Sequence, residues 1–170
     1  SLVEGEAVLA MVQYSTRFVP AWRLLTDGLL AALLSPAQMQ RLNAAPLVLR
    51  ERLLFPYLRG QAFALRAWRQ GGWPALRRLY RHIPESSEQI LHPEKYYARL
   101  DRPTPIACFG LAPALGAAWS ELGTDILGEA EVGWLLRSLG AGQAAAEAAA
   151  SGWDGDRFVL LGQEGGAKRQ

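Results

Sequence analysis

The chain has 170 residues, half of them hydrophobic, with 18 Lys and Arg against 16 Asp and Glu, which supplies enough apolar material for one domain with a core and excludes a disordered chain. A single cysteine, Cys108, excludes an internal disulfide framework, and His82 and His92, with Pro84 between them, exclude an i, i+4 pair of imidazoles on one helix. The longest uncharged run, Pro103 to Ser120, is broken by Pro105, Gly110, Pro113 and Gly116 and does not read as a spanning helix.

The first stretch, LVEGEAVLAM from Leu2 to Met11, places two carboxylates in an apolar run of helical spacing that continues to Phe18. Glu6, Ala10, Gln13 and Arg17 share a stripe that water tolerates, whereas Glu4 lines up with Ala7, Val8, Met11, Ser15 and Phe18. This predicts that Glu4 points inward and needs a partner, because an ionised carboxylate in apolar surroundings costs several kcal/mol unless a cation or good donors meet it. Two partners compete: a structural Arg or backbone donor, or a metal ion. The run has no cap before Leu2, as in a fragment or a processed product, and Glu4 and Glu6 stand where the basic leader of an export signal would lie.

The first helix is expected to stop near Pro20, with a looser helical stretch from Ala21 to Leu34 interrupted at Asp27-Gly28. Ser35 before Pro36 starts a short helix over PAQMQRL, which Asn43 to Pro46 breaks. From Leu47 the pattern is strongly helical, with Pro56 marking a restart and Tyr57, Ala64 and Trp68 on a broad apolar face. Gly71-Gly72 ends that helix, and Trp73-Pro74 starts the next, which runs to about His82. Residues 50 to 81 hold eight arginines against Glu51 alone, while the part after Ser120 holds eight acids against four bases. Arg59, Arg66, Arg69, Arg77, Arg78 and Arg81 read first as a solvated face with snorkelling stems, and as a weaker alternative as a nucleic-acid or anionic surface. No nucleic-acid motif accompanies them, so no nucleic-acid partner is expected.

Ser86 is placed to cap a short helix, SSEQIL, with Gln89 as in a capping box, ending before Pro93. The stretch TPIACFGLAPALGAAW reads as a loop with a short extended piece at Ile106 to Phe109. Thr124 or Asp125 should cap a helix from Ile126 to Leu139 that turns Leu127, Ala130 or Glu131, Trp134 and Leu135 inward, and Gln143 to Ala150 should form an alanine-rich helix. Trp153 to Asp156 reads as a turn whose acids pair locally with Arg157, leading into an unpaired β-like segment from Arg157 to Leu161. The expectation is a mainly α fold: one helical domain over 1–162, a short β-like segment near its end, and a flexible tail over 163–170.

Six segments then carry more than periodicity does. LVEGEA, FPYLRGQAF, GGW, SSEQILHPEKY, LGE and GWDGDRF, in that order from Leu2 to Phe158, resemble a bacterial family of zinc metallopeptidase-like proteins in which an HExxH helix is followed by a helix bearing (L/V)-E-G-(D/E)-A. The arrangement is similar to that of gluzincins, and SSEQILHPEKY is its most specific piece. The resemblance implies the C-terminal part of a gluzincin-like fold, with Glu4 as the metal-binding carboxylate. It implies a zinc ion in the complete protein, none bound by this chain alone, and a peptide or protein substrate. Zinc held by two imidazoles and one carboxylate keeps a fourth position for water. HExxH is absent from these residues, so the general base and two ligands would come from a missing N-terminal segment. His92, with Tyr96 or Tyr97, is a candidate donor to the oxyanion of a tetrahedral intermediate, weighed against a structural brace at the HPEKY corner. Relatives of this kind often carry an upstream export signal or lipid anchor, so the resemblance implies an extracytoplasmic or envelope-associated place. The competing reading is a non-catalytic helical module whose cleft binds peptide or protein.

Overall fold

In the computed structural model, residues 1–18 and 36–163 are described. The stretch expected to be helical from Ala21 to Leu34, the stop near Pro20, the Ser35 cap and the tail beyond Gln163 lie outside them. Helices α1 (Leu2–Phe18), α2 (Pro36–Ala44) and α3 (Leu47–Leu79) are followed by two short ones, α4 (Ser87–Leu91) and α5 (Glu94–Tyr97). Then come α6 (Leu111–Leu115), β1 (Trp119–Asp125), α7 (Gly128–Ser138), α8 (Gln143–Ala150) and β2 (Phe158–Gln163). The protein is thus mainly α, one helical domain with a short β-hairpin. Among the described residues no helix is long and apolar enough to cross a membrane.

The stripe Leu2, Gly5, Val8 and Leu9 buries α1 against α3, at the i, i+3, i+7 spacing of a helix face. Where the two helices cross, backbone meets backbone. A Cβ on Gly5 would stand 2.1 Å from the Gly60 carbonyl carbon, and one on Gly60 would stand 2.2 Å from the Ser1 carbonyl oxygen. Glycine at both positions is therefore a packing requirement.

Helix α3 is two arms joined by a kink. Gly71 has φ −175° and ψ 29°, and Gly72 has φ +61° and ψ −155°, the latter in the region that favours glycine. Pro74 restarts the helix within its first turn. The turn swings Leu76 and Leu79 back onto Phe63, Ala64 and Ala67, which with Leu2 and Leu9 form the core. Phe63 stacks on Tyr97 with centroids 5.4 Å apart and meets Tyr96 edge-on at 5.3 Å, so the HPEKY corner closes over this core. Pro56, expected to mark a restart, sits inside the first arm, where no backbone angle departs from helix. Its ring is accommodated at the price of one ladder hydrogen bond.

The second half differs more from expectation. No strand forms over Ile106 to Phe109, and a seven-residue strand, β1, forms at Trp119–Asp125 instead. It pairs antiparallel with β2 from Trp119 opposite Gln163 to Asp125 opposite Phe158, with a bulge between Glu121 and Gly123. The terminal segment is therefore paired, and the hairpin satisfies the ladder groups a lone strand would leave open. Helix α7 takes its N-terminal cap from neither Thr124 nor Asp125. Thr124 donates to the Phe158 carbonyl and Asp125 accepts from the Ile126 N–H. Asp156 does the capping from across the domain, its two carboxylate oxygens accepting from the Leu127 and Gly128 N–H groups at 2.9 Å each. The buried side of α7 is Gly128, Glu129, Ala130 and Gly133, with Leu135 exposed. The expected Asp–Arg157 pair does not form, and Arg157 donates Nε to the Ile106 carbonyl at 2.6 Å.

Candidate functional site

Glu4 stands in the first turn of α1, flanking the buried stripe instead of lying within it. Its side chain is 41 % exposed, which corrects the inward reading: the face that packs is Leu2, Gly5, Val8 and Leu9, and Glu4 and Glu6 border it on either side. Periodicity ranked the stripes by hydrophobicity, but contact with Gly60 decided which one packs.

One oxygen of Glu4 is nevertheless shielded. Oε2 is out of contact with solvent and is met by the Ser1 ammonium, 3.0 Å away. That ammonium, together with a backbone N–H, holds the Glu4 carboxyl below its ordinary pKa, and partial burial opposes them.

Alongside lies an open cleft of about 550 Å³ between the start of α1, Phe55 on α3, and the turn from Tyr80 to Ser87. Its walls are mainly apolar, with Leu2, Ile83, Pro84 and Ile90 beside Phe55. Its polar points are Glu4, Glu85 and the hydroxyls of Tyr80, Ser86 and Ser87, a mix typical of small-molecule and peptide pockets. Tyr80 donates its hydroxyl to Glu6. Burial first, and that hydrogen bond second, push the phenol up to about 12. Ser86 accepts from the Gln89 N–H at 3.2 Å as the cap of α4. Gln89 Oε1 accepts from the Glu85 N–H at 2.8 Å, one residue before the position a capping box uses. Glu85 is met by Arg102 at 3.4 Å. Sequence reasoning did not find Tyr80, Glu85 or Ser87 as cleft residues. The available signal was the SSEQIL segment, in which Ser86 was read only as a cap.

His92 and Tyr96 do not line this cleft. His92 Nε2 lies 2.8 Å from Oε1 of Glu129, a carboxylate with 5 % of its side chain exposed, while Nδ1 lies 3.7 Å from Glu94. Tyr96 donates its hydroxyl to the His82 carbonyl. The rest of the SSEQILHPEKY segment is similarly engaged. Buried Glu88 pairs with Lys95, which also reaches Asp101 at 3.3 Å. Ser87 Oγ accepts from the Ala130 N–H at 3.2 Å. The residues of SSEQILHPEKY, LGE and GWDGDRF thus meet in one knot, in which Trp153 Nε1 also donates to Asp156 at 2.7 Å. Such a knot fixes the turn that forms the cleft wall.

The arginines divide. Arg52 pairs with Glu131 at 3.1 Å, and Arg66 lies over the Tyr97 ring at 5.7 Å. Arg59, Arg69, Arg77, Arg78 and Arg81 are exposed, and none of the six candidates lines the cleft.

As a ligand for zinc, Glu4 fits singly: it is a half-exposed carboxylate lining the cleft, one oxygen of which already meets the Ser1 ammonium. Among the described residues, no three His, Cys, Asp or Glu side chains come together in a way that could hold a metal ion. A metal centre at Glu4 would therefore need imidazoles from elsewhere. No protein-family model matches the chain, and no curated protein or solved structure matches it either.

Proposed function

We propose that these residues are the C-terminal, cleft-forming part of a zinc-dependent, gluzincin-like metallopeptidase, in which Glu4 is the metal-binding carboxylate and HExxH lies on a helix outside them. The observation that carries this reading is the position of the Glu4 carboxylate, which lines an open cleft from the first turn of α1. The LVEGEA motif supports it, as does the mainly apolar lining, which suits a peptide side chain. His92 and Tyr96 act in this reading as a brace that holds the cleft wall, because both polar groups are already committed. The extracytoplasmic or envelope-associated place rests on resemblance.

The test is peptide hydrolysis by a longer polypeptide that adds the HExxH segment. Cleavage should appear, stop on chelation, and be lost in Glu4→Gln with the fold intact. Cleavage that survives Glu4→Gln overturns the assignment.

A second reading is a non-catalytic peptide-binding module, favoured by the mainly apolar lining of the open cleft and by the pairing of its two acids, Glu4 with the Ser1 ammonium and Glu85 with Arg102. In that reading the cleft binds peptide without cutting it.

A further inference from the structure

From Leu53 to Pro84, His82 aside, every charged side chain is an arginine: Arg59, Arg66, Arg69, Arg77, Arg78 and Arg81. All of them are exposed. Among the described residues, the arginines that meet a carboxylate are Arg50, Arg52, Arg102 and Arg137, so the charges along this stretch of α3 are uncompensated. Arg59 and Arg66 share one side of the first arm. In the second arm Ala75, Leu76 and Leu79 are buried, and Arg77, Arg78 and Arg81 take the outward positions of the same turns. Arg78 Nη2 lies 3.4 Å from where a Cβ on Gly71 would stand, against the exposed kink. Trp73, 37 % exposed, stands one turn before Arg77. Like charges at i, i+3 and i, i+4 repel. The helix dipole offsets this for Arg77 and Arg78 in the last turn, but not for Arg59, Arg66 and Arg69 in the first arm.

We infer that this face of α3 docks the protein on an anionic bilayer surface, with Arg59, Arg69, Arg77, Arg78 and Arg81 receiving lipid phosphates and the Trp73 indole seated among the headgroups. A guanidinium offers phosphate a planar fork of donors, and each basic side chain near an anionic bilayer adds to the attraction. The indole favours a bilayer over a polyanion in solution, because its apolar ring and single N–H suit the boundary between headgroups and acyl chains. None of these arginines lines the cleft, so the inference stands apart from a metal at Glu4 and from a peptide in the cleft.

The experiment is co-sedimentation of the 170-residue chain with vesicles of phosphatidylcholine alone and of phosphatidylcholine and phosphatidylglycerol in equal parts. The chain should partition onto the anionic vesicles only, and at least about tenfold less strongly when sodium chloride rises from about 50 to about 500 mM. A variant carrying Arg77→Gln, Arg78→Gln and Arg81→Gln should bind at least about tenfold less tightly while thermal unfolding shows the fold retained. A control carrying Arg17→Gln, Arg41→Gln and Arg99→Gln, which removes the same charge from exposed positions elsewhere, should bind as wild type does. Brominated acyl chains should quench the tryptophan emission of the bound chain, and less so in Trp73→Phe. No preference for anionic vesicles, equal loss in the two triple variants, or quenching unchanged in Trp73→Phe overturns the inference. Duplex DNA that displaces the chain from the vesicles at equal phosphate concentration overturns the assignment to lipid and gives the face to nucleic acid.

Discussion

Gly5 and Gly60 bring α1 and α3 into backbone contact, with a Cβ on Gly5 falling 2.1 Å from the Gly60 carbonyl carbon. Glu4, one residue before this contact, is thereby fixed at the rim of the cleft. Gly5→Ala or Gly60→Ala forces the helices apart and should destabilise the protein by about 1–3 kcal/mol. Urea denaturation measures the loss. Wild-type stability in both variants would mean that the crossing is looser than described.

The His92–Glu129 pair is expected to brace the fold. Removing the imidazole leaves a carboxylate with 5 % of its side chain exposed and no partner for either oxygen, since Oε2 already lacks one. His92→Ala should cost roughly 1–3 kcal/mol. A double-mutant cycle with Glu129→Gln should recover part of that cost, because the remaining side chain then carries no charge. Additive effects would show that the two groups do not interact.

Asp156 ties the start of α7 to the turn at Trp153. Burial raises its pKa, but the N–H groups of Leu127 and Gly128 and the Trp153 indole outweigh burial and hold it below the ordinary 3.8. A depressed carboxylate contributes stability that is present above the unfolded pKa and lost as pH falls through the folded one. Asp156→Asn should therefore flatten the acid limb of stability below about pH 4, measured by urea melts across that range. An unchanged acid limb would remove Asp156 as its source.

Much of the helical part was legible from residue order. Gly71-Gly72 followed by Trp73-Pro74 marked the kink of α3, Ser86 marked the cap of α4, and the alanine run marked α8. These signals are local. The strand β1 was missed because WSELGTD is exposed along most of both faces and so lacks the alternation that betrays a half-buried strand. The cap of α7 was missed because its carboxylate comes from Asp156, near in space and remote in sequence. Glu4 was singled out as a carboxylate in need of a partner, but its place at the border of the packed face depends on Gly60, which no pattern within α1 reveals.

Two phenols report on the cleft and the core. Tyr80 is pushed up to about 12 by burial and by its bond to Glu6. Tyr97 is pushed up to about 12 by burial and by Tyr96, against Arg66. Ultraviolet titration should show late-ionising tyrosines that Tyr80→Phe and Tyr97→Phe each reduce. A raised acid pKa adds stability below the unfolded value and loses it as pH climbs through the folded one, so both contributions fade in strong alkali. Loss of no late-ionising signal in Tyr80→Phe would place its hydroxyl in water, away from Glu6.

The most direct measurement is the metal content of the longer polypeptide that adds the HExxH segment, purified with and without Glu4→Gln. The account predicts one tightly held zinc per chain, lost in the variant while its fold persists. Zinc retained at full occupancy without the Glu4 carboxylate would contradict it.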